Sequence, residues 1–88
     1  MIRRRVVIEG RVQGVGFRVA CARQAAAAEL AGSVRNLPDG RVEATFEGAP
    51  GSVDELVAWC RRGPNAARVS RIRVSELEPT GVTGFVIG

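Results

Sequence analysis

Two periodicities alternate along this chain. In Arg5–Val12, Val6, Ile8 and Val12 share one parity while Arg5, Glu9 and Arg11 share the other, the mark of a half-buried strand. From Phe17 to Ala31 the period lengthens to that of a helix. Its inner stripe is Phe17, Ala20, Cys21, Gln24, Ala25 and Ala28, with Gly32 as the stop. A short strand, Ser33–Leu37, runs into Leu37-Pro38-Asp39-Gly40. Proline at the second turn position and glycine at the left-handed one fit a type I hairpin turn with a bulge. Arg41–Gly48 then alternates, with Val42, Ala44 and Phe46 inward and Arg41, Glu43, Thr45 and Glu47 outward.

A second helix is predicted from Ser52, an N-cap residue with Glu55 three positions on as a capping box. Val53, Leu56, Val57 and Cys60 form its apolar stripe. Arg61-Arg62-Gly63-Pro64 closes it, with cations at the negative end of the dipole and then two residues that stop a helix. Val69–Leu77 reads as a further strand and Phe85-Val86-Ile87 as a short fifth one. With no linker, repeat or low-complexity tract, residues 1–88 read as a single domain. The β-α-β-β-α-β order with right-handed crossovers predicts a ferredoxin-like α+β sandwich. Two helices would cover one face of an antiparallel sheet, the other face would be solvated, and the short fifth strand would follow. That architecture hosts many functions and does not choose among them.

At 88 residues, a domain buries only about 60–65% of its unfolded surface. A hydrophobic share of 45% with 25% charged residues excludes wholesale disorder. No apolar run reaches the roughly 18–20 residues of a membrane span, and the first residues lack the apolar stretch of a signal peptide. The expected location is therefore the cytoplasm, with no membrane partner. All 13 basic residues are arginine; lysine, histidine and tyrosine are missing while alanine abounds, which points to a biased genome rather than selection for guanidinium chemistry. The net charge of +4 steers anions in general and specifies none. Cys21 and Cys60 are too few and too far apart for a metal knuckle, and no histidine completes a zinc site. They read as reduced core thiols. Because the two helices of this fold run antiparallel, the two thiols are expected to be neighbours without a disulfide.

The candidate chemistry lies in Gly10–Arg18, GRVQGVGFR, between a strand end and a helix start. Gly14 and Gly16 can adopt positive φ cheaply, turning successive N–H groups inward as an anion nest at the positive end of the helix dipole. Arg18, in the first helical turn, can place its fork on the same anion, and phosphate is the natural guest. Walker A needs a Gly-Lys that this chain lacks, and Gly14-Val15-Gly16 is not completed to a dinucleotide fingerprint. The glycine spacing alone also fits a plain strand-to-helix turn with an incidental arginine. A second candidate is Asn36, which shares parity with Val34 and so should point to the helix-covered face. Such an asparagine either ties down the neighbouring turn or holds a water in line with a phosphorus without adding negative charge.

Taken together, GRVQGVGFR, GSVRNLPDGRVE and the terminal TGVTGFVIG resemble the acylphosphatase family, in order and with matching spacing over nearly the whole chain. The resemblance implies hydrolysis of a carboxyl–phosphate anhydride to carboxylate and phosphate, without metal or organic cofactor. It implies a phosphate loop of Gln13, Gly14, Val15, Gly16, Phe17 and Arg18, with Arg18 as the phosphate-binding arginine and Asn36 as the residue that positions the attacking water. The expected partners are a small-molecule acyl phosphate and inorganic phosphate, the latter as product and inhibitor, and the expected state is a monomer. Two positions depart from the family pattern: Val19 and Ser33 stand where aromatics are usual, which bears on the pocket rim and acyl preference more than on the reaction.

Two other classes compete. A ferredoxin-like nucleic-acid binder would stack bases on aromatics of the open sheet face. Here Phe46 is predicted inward, Trp59 lies on a helix, and the outer face mixes Arg5, Glu9, Arg11, Glu43, Glu47, Arg71 and Arg73. No nucleic-acid partner is expected. The other competitor is a module that binds phosphate or an acyl phosphate without turning it over.

Overall fold

The computed structural model describes all 88 residues. The elements run β1 (Ile2–Arg11), α1 (Phe17–Ala27), β2 (Ala31–Asn36), β3 (Val42–Gly48), α2 (Pro50–Cys60), β4 (Arg68–Leu77) and β5 (Phe85–Ile87). The sheet order is β4-β1-β3-β2-β5. The first four strands pair antiparallel, whereas β5 pairs parallel to β2 and makes the sheet mixed. The direction follows from topology. β4 runs opposite to β2, so a chain that leaves β4 and enters the far edge from the same end must run alongside β2.

Alternation in β1 and β3 places Val6, Ile8, Val42, Ala44 and Phe46 on one face. There they are sealed, with Val34, against Phe17, Cys21 and Ala25 of α1 and Val53, Leu56, Val57 and Cys60 of α2. Each large aliphatic or aromatic member contributes about 1.5–3 kcal/mol by leaving water. Cys21 and Cys60 meet in this layer as free thiols. A hydrogen bond to Cys21, and then burial, push the Cys60 thiol well above its ordinary range, so Cys60 is not a poised nucleophile.

Three local expectations are corrected. Helix α1 ends at Ala27, not Ala31, and Gly32 is not its stop. Glu29 takes the left-handed position at φ 57°. The Leu30 N–H donates to the Ala25 carbonyl at 2.9 Å and the Glu29 N–H to Ala26 at 3.0 Å, a Schellman closure built without glycine. Gly32 instead lies inside β2 at φ 136°, where a Cβ would collide with the Thr45 carbonyl oxygen. Of the predicted stripe, Gln24 is exposed and only Phe17, Cys21 and Ala25, four residues apart, are buried. Helix α2 starts at Pro50 with Ala49 as its N-cap, and no capping box forms. Proline keeps the preceding residue extended and suits the first helical position, which outweighs the Ser52 signal. Its end matches expectation only in part. Gly63, at φ 68°, donates to the Trp59 carbonyl at 2.8 Å, but Arg61 and Arg62 lie past the last turn.

The open sheet face is also less solvated than its charge suggests. Val7 is 3% exposed. It sits beside Arg5 and Glu9 on its own strand and pairs across to Glu43 and Arg73. The ion pairs Arg5–Glu43 and Arg73–Glu9 draw these stems over it. Glu47, expected outward, is the one buried charged side chain. The segment after β4 crosses above it. Its carboxylate accepts the Thr80 N–H at 3.0 Å, the Thr80 hydroxyl at 3.1 Å, the Gly81 N–H at 2.7 Å and Arg3 Nη1 at 3.1 Å. Beyond that crossing, Gly84 accepts the Gly32 N–H at 3.0 Å and Phe85 stacks on Phe46 across Gly32, with ring centres 5.9 Å apart.

Two outcomes follow for urea unfolding. Gly32→Ala should cost more than about 2 kcal/mol, through forbidden φ and backbone collision together, whereas Glu29→Gly should gain roughly 1 kcal/mol by relieving a left-handed residue. The second concerns pH. The Thr80 N–H, then the Gly81 N–H and Arg3, hold the Glu47 carboxyl at about 2, below its ordinary 4.5, against the opposing pull of burial. A lowered folded-state value stabilises the fold above the unfolded value and loses that stabilisation as pH falls through the folded one. The stability gap between the parent chain and Glu47→Gln should therefore be constant above about pH 5 and close towards pH 2.

Candidate active site

The glycine loop joins the end of β1 to α1. Gly14 at φ 72° and Gly16 at φ 78° both take the left-handed conformation. A Cβ at either would meet nothing within 4 Å, so torsion rather than crowding demands glycine here, and the space above the loop is open. Gly16 caps α1 without a side-chain hydrogen bond, and no acidic residue occupies the first turn. The first bond closing the helix is Ala20 N–H to the Gly16 carbonyl at 3.1 Å. None of the main-chain N–H groups from Gly14 to Val19 donates to a protein acceptor. They are a row of unpaired donors at the positive end of a helix, the arrangement that binds an oxyanion.

Side chains fix that row in place. Phe17 is 2% exposed and packs on Trp59, with ring centres 5.2 Å apart at 58°. A Cβ on Gly63 would lie 2.7 Å from the Phe17 ring, so the end of α2 is shaped to admit it. Gln13 turns away from the cleft. Its Nε2 donates to the Leu37 carbonyl at 2.8 Å and the Arg41 carbonyl at 3.0 Å, clamping the loop to the β2–β3 turn. That turn is itself closed by Gly40 N–H to Leu37 at 3.2 Å and Leu37 N–H to Arg41 at 2.8 Å, with Gly40 at φ 95°. The expected bulged hairpin is present. Val15 packs against the edge of the core.

Gly14, Gly16, Phe17, Arg18 and Asn36 line one cleft of about 200 Å³, with Val12, Val19 and Ile87 completing it. Asn36 closes β2 on the parity of Val34, facing the helices, and its amide makes no hydrogen bond within the protein and is not sealed from solvent. Tying down the turn is the work of Gln13, so Asn36 is free to face the cleft. Arg18 has no carboxylate side chain as partner; its Nη1 donates to the Gly88 carbonyl at 2.9 Å, which draws its fork towards the end of β5. Of the two departures from the family pattern, Val19 is half exposed at the cleft. Ser33 points to the opposite sheet face, where its hydroxyl meets that of Thr45 at 3.2 Å. A larger cavity, about 670 Å³, lies between the second half of α1 and residues 79–85 and contains none of the predicted site residues.

The sequence pointed to neither Ile87 nor Gly88, and it named Gln13 for the phosphate loop without its clamping role. The Gln13 clamp had no local signal, since its acceptors are carbonyls 24 and 28 residues away. Ile87 and Gly88 reach the cleft only because β5 pairs with β2. The open face offers no stacking platform for bases, because Phe17 and Phe46 are buried and Phe85 stacks on Phe46.

Known proteins resemble this chain over nearly its whole length. The acylphosphatase family model matches residues 4–87. An acylphosphatase of Synechococcus sp. is 55% identical over 83 residues, covering 94% of this chain and 83% of its own length. The crystal structure of acylphosphatase from Bacillus subtilis superposes with a TM-score of 0.95 at 37% identity, over 100% of this chain and 99% of that one. The acylphosphatase structure from Coxiella burnetii gives 0.95 at 32% identity, over 99% and 92% of the two chains. With its N–H row, its arginine and its asparagine converging on one cleft, and with this similarity over the full fold, the chain belongs to the acylphosphatase family.

Proposed function

We propose that this chain hydrolyses acyl phosphates in the cleft formed by the Gln13–Arg18 loop and Asn36, with each residue in a separate role. The N–H groups of Gly14 to Val19 receive the phosphate oxygens, and Arg18 adds a charge-assisted fork to the same group. Asn36 Oδ1 accepts a hydrogen bond from the attacking water and aims its oxygen at phosphorus. The water–phosphorus bond forms as the bond from phosphorus to the acyl oxygen breaks, and the electron pair of that bond leaves with the carboxylate. One proton of the water ends on a phosphate oxygen.

The observation that carries this reading is the unpaired N–H row, with a free amide at the facing strand end. In phosphoryl transfer the protein mainly positions groups and stabilises charge. A carboxylate is a stable anion near neutral pH, so the leaving group needs no general acid, which fits a cleft with no histidine, aspartate or glutamate in its lining. Phosphate, as product, competes for the same donors. Residues 1–88 act as one domain and as a monomer in the cytoplasm; no helix is long and apolar enough to cross a membrane.

The direct test is release of phosphate from acetyl or benzoyl phosphate with a metal chelator present, and competitive inhibition by inorganic phosphate. A protein that binds phosphate but gives no turnover at saturating substrate would be the binding module instead. Arg18→Ala should raise KM and the phosphate inhibition constant together, while Asn36→Ala should leave phosphate affinity near its original value and lower kcat by about 10²–10³. Unchanged turnover in Asn36→Ala would remove it from the mechanism. Gln13→Ala should act indirectly, lowering thermal stability by about 1–2 kcal/mol through two lost hydrogen bonds and weakening phosphate binding as the loop loosens. Full affinity in that variant would show that the glycines hold the loop unaided.

A further inference from the structure

The crossing segment between β4 and β5 is fastened by Glu47, and its far end touches the site. After Leu77 the chain has no regular structure until Phe85. The Glu47 carboxylate gathers Thr80 and Gly81 by two main-chain N–H groups and one hydroxyl, with Arg3 as counter-ion. A few residues on, β5 lies against β2 and the Gly88 N–H donates to the Val34 carbonyl at 2.8 Å. There the Gly88 carbonyl holds Arg18 Nη1, and Ile87 lines the cleft. β5 is only three residues long and lies at a sheet edge, too short to fix its own register.

We propose that Glu47 is a positioning residue for phosphate binding, acting on Arg18 through the segment Thr80–Gly88. This rests on the reading of Arg18 as the phosphate-binding arginine. A buried carboxylate is a poor way to gain stability, since removing it from water offsets much of what its partners return. Here it fixes where the crossing segment passes, and hence where β5 begins. With β5 in place, one donor of Arg18 is committed to the main-chain oxygen of Gly88, and the side chain stays at the cleft that Gly14 and Gly16 line. With β5 loose, the guanidinium samples other rotamers and each binding event must order it first. The cost falls on binding of the phosphate group in substrate and product alike, and leaves the Asn36-directed step largely as it was.

The test measures KM and kcat for acetyl phosphate, the inhibition constant of inorganic phosphate, and the thermal midpoint, in the parent chain and in Glu47→Gln, Glu47→Ala and Arg18→Ala. Glu47→Ala should raise KM and the inhibition constant together by about three- to tenfold with kcat within about twofold, and Glu47→Gln should do the same to a smaller degree. A purely structural Glu47 would lower the midpoint and leave both constants unmoved; that result overturns the proposal. If the alanine variant does not fold, Glu47→Gln decides by the same criterion. Arg18→Ala separates the two readings. If it leaves phosphate affinity unchanged, the site assignment fails and this proposal with it. If it weakens affinity while the Glu47 variants do not, only the role of Glu47 fails.

Discussion

The site depends on keeping a run of main-chain N–H groups unpaired at the edge of a packed core. Backbone donors are ordinarily satisfied, and the cheapest way for Gly14–Val19 to satisfy them would be one more helical turn or a closer strand pairing. Two left-handed glycines prevent both. The loop is then held by its flanks. Phe17 is buried against Trp59 on one side, and Gln13 is bonded to two carbonyls of the β2–β3 turn on the other. The donors stay fixed because the residues around them have better partners than the donors themselves.

Charge is organised around the same need. Seven of the 13 arginines form ion pairs: Arg3, Arg4, Arg5, Arg35, Arg41, Arg71 and Arg73. Most of these pairs lie on the sheet and are structural or merely solvated, each worth little by itself. Arg18 has no carboxylate side chain as partner, and its one protein acceptor in this structure is the main-chain oxygen of Gly88. That contact draws the guanidinium towards the end of β5 and leaves its other donors for an anion. Arg68 likewise donates only to main-chain oxygens, so in a chain where every cation is arginine it is the place at the cleft that sets Arg18 apart.

The elements and the cleft's chemistry were legible to different degrees. The inward parity of β3, the α2 stripe and the hairpin turn follow from short-range pattern and appear as read. Two of the misreadings fall where a residue type serves two purposes. Gly32 read as a helix stop because glycine ends helices, yet it is needed where β2 passes close to the Thr45 carbonyl. Ser52 read as a cap because serine caps helices, but Pro50 had already started the helix. Glu47 read as an outward strand residue, and only the chain returning over it makes it buried.

The sequence by itself determined the α+β architecture, the identity of the loop and the pairing of Arg18 with Asn36 as candidates. Those properties are set by side-chain period, by the φ that glycine permits and by residue order, all of which are local. Only the tertiary structure decided the direction of β5, the work of Gln13, the partner of Arg18 and the burial of Glu47. Each of these joins residues 24 to 70 positions apart, and no local preference reports on a contact that exists only once the sheet has assembled.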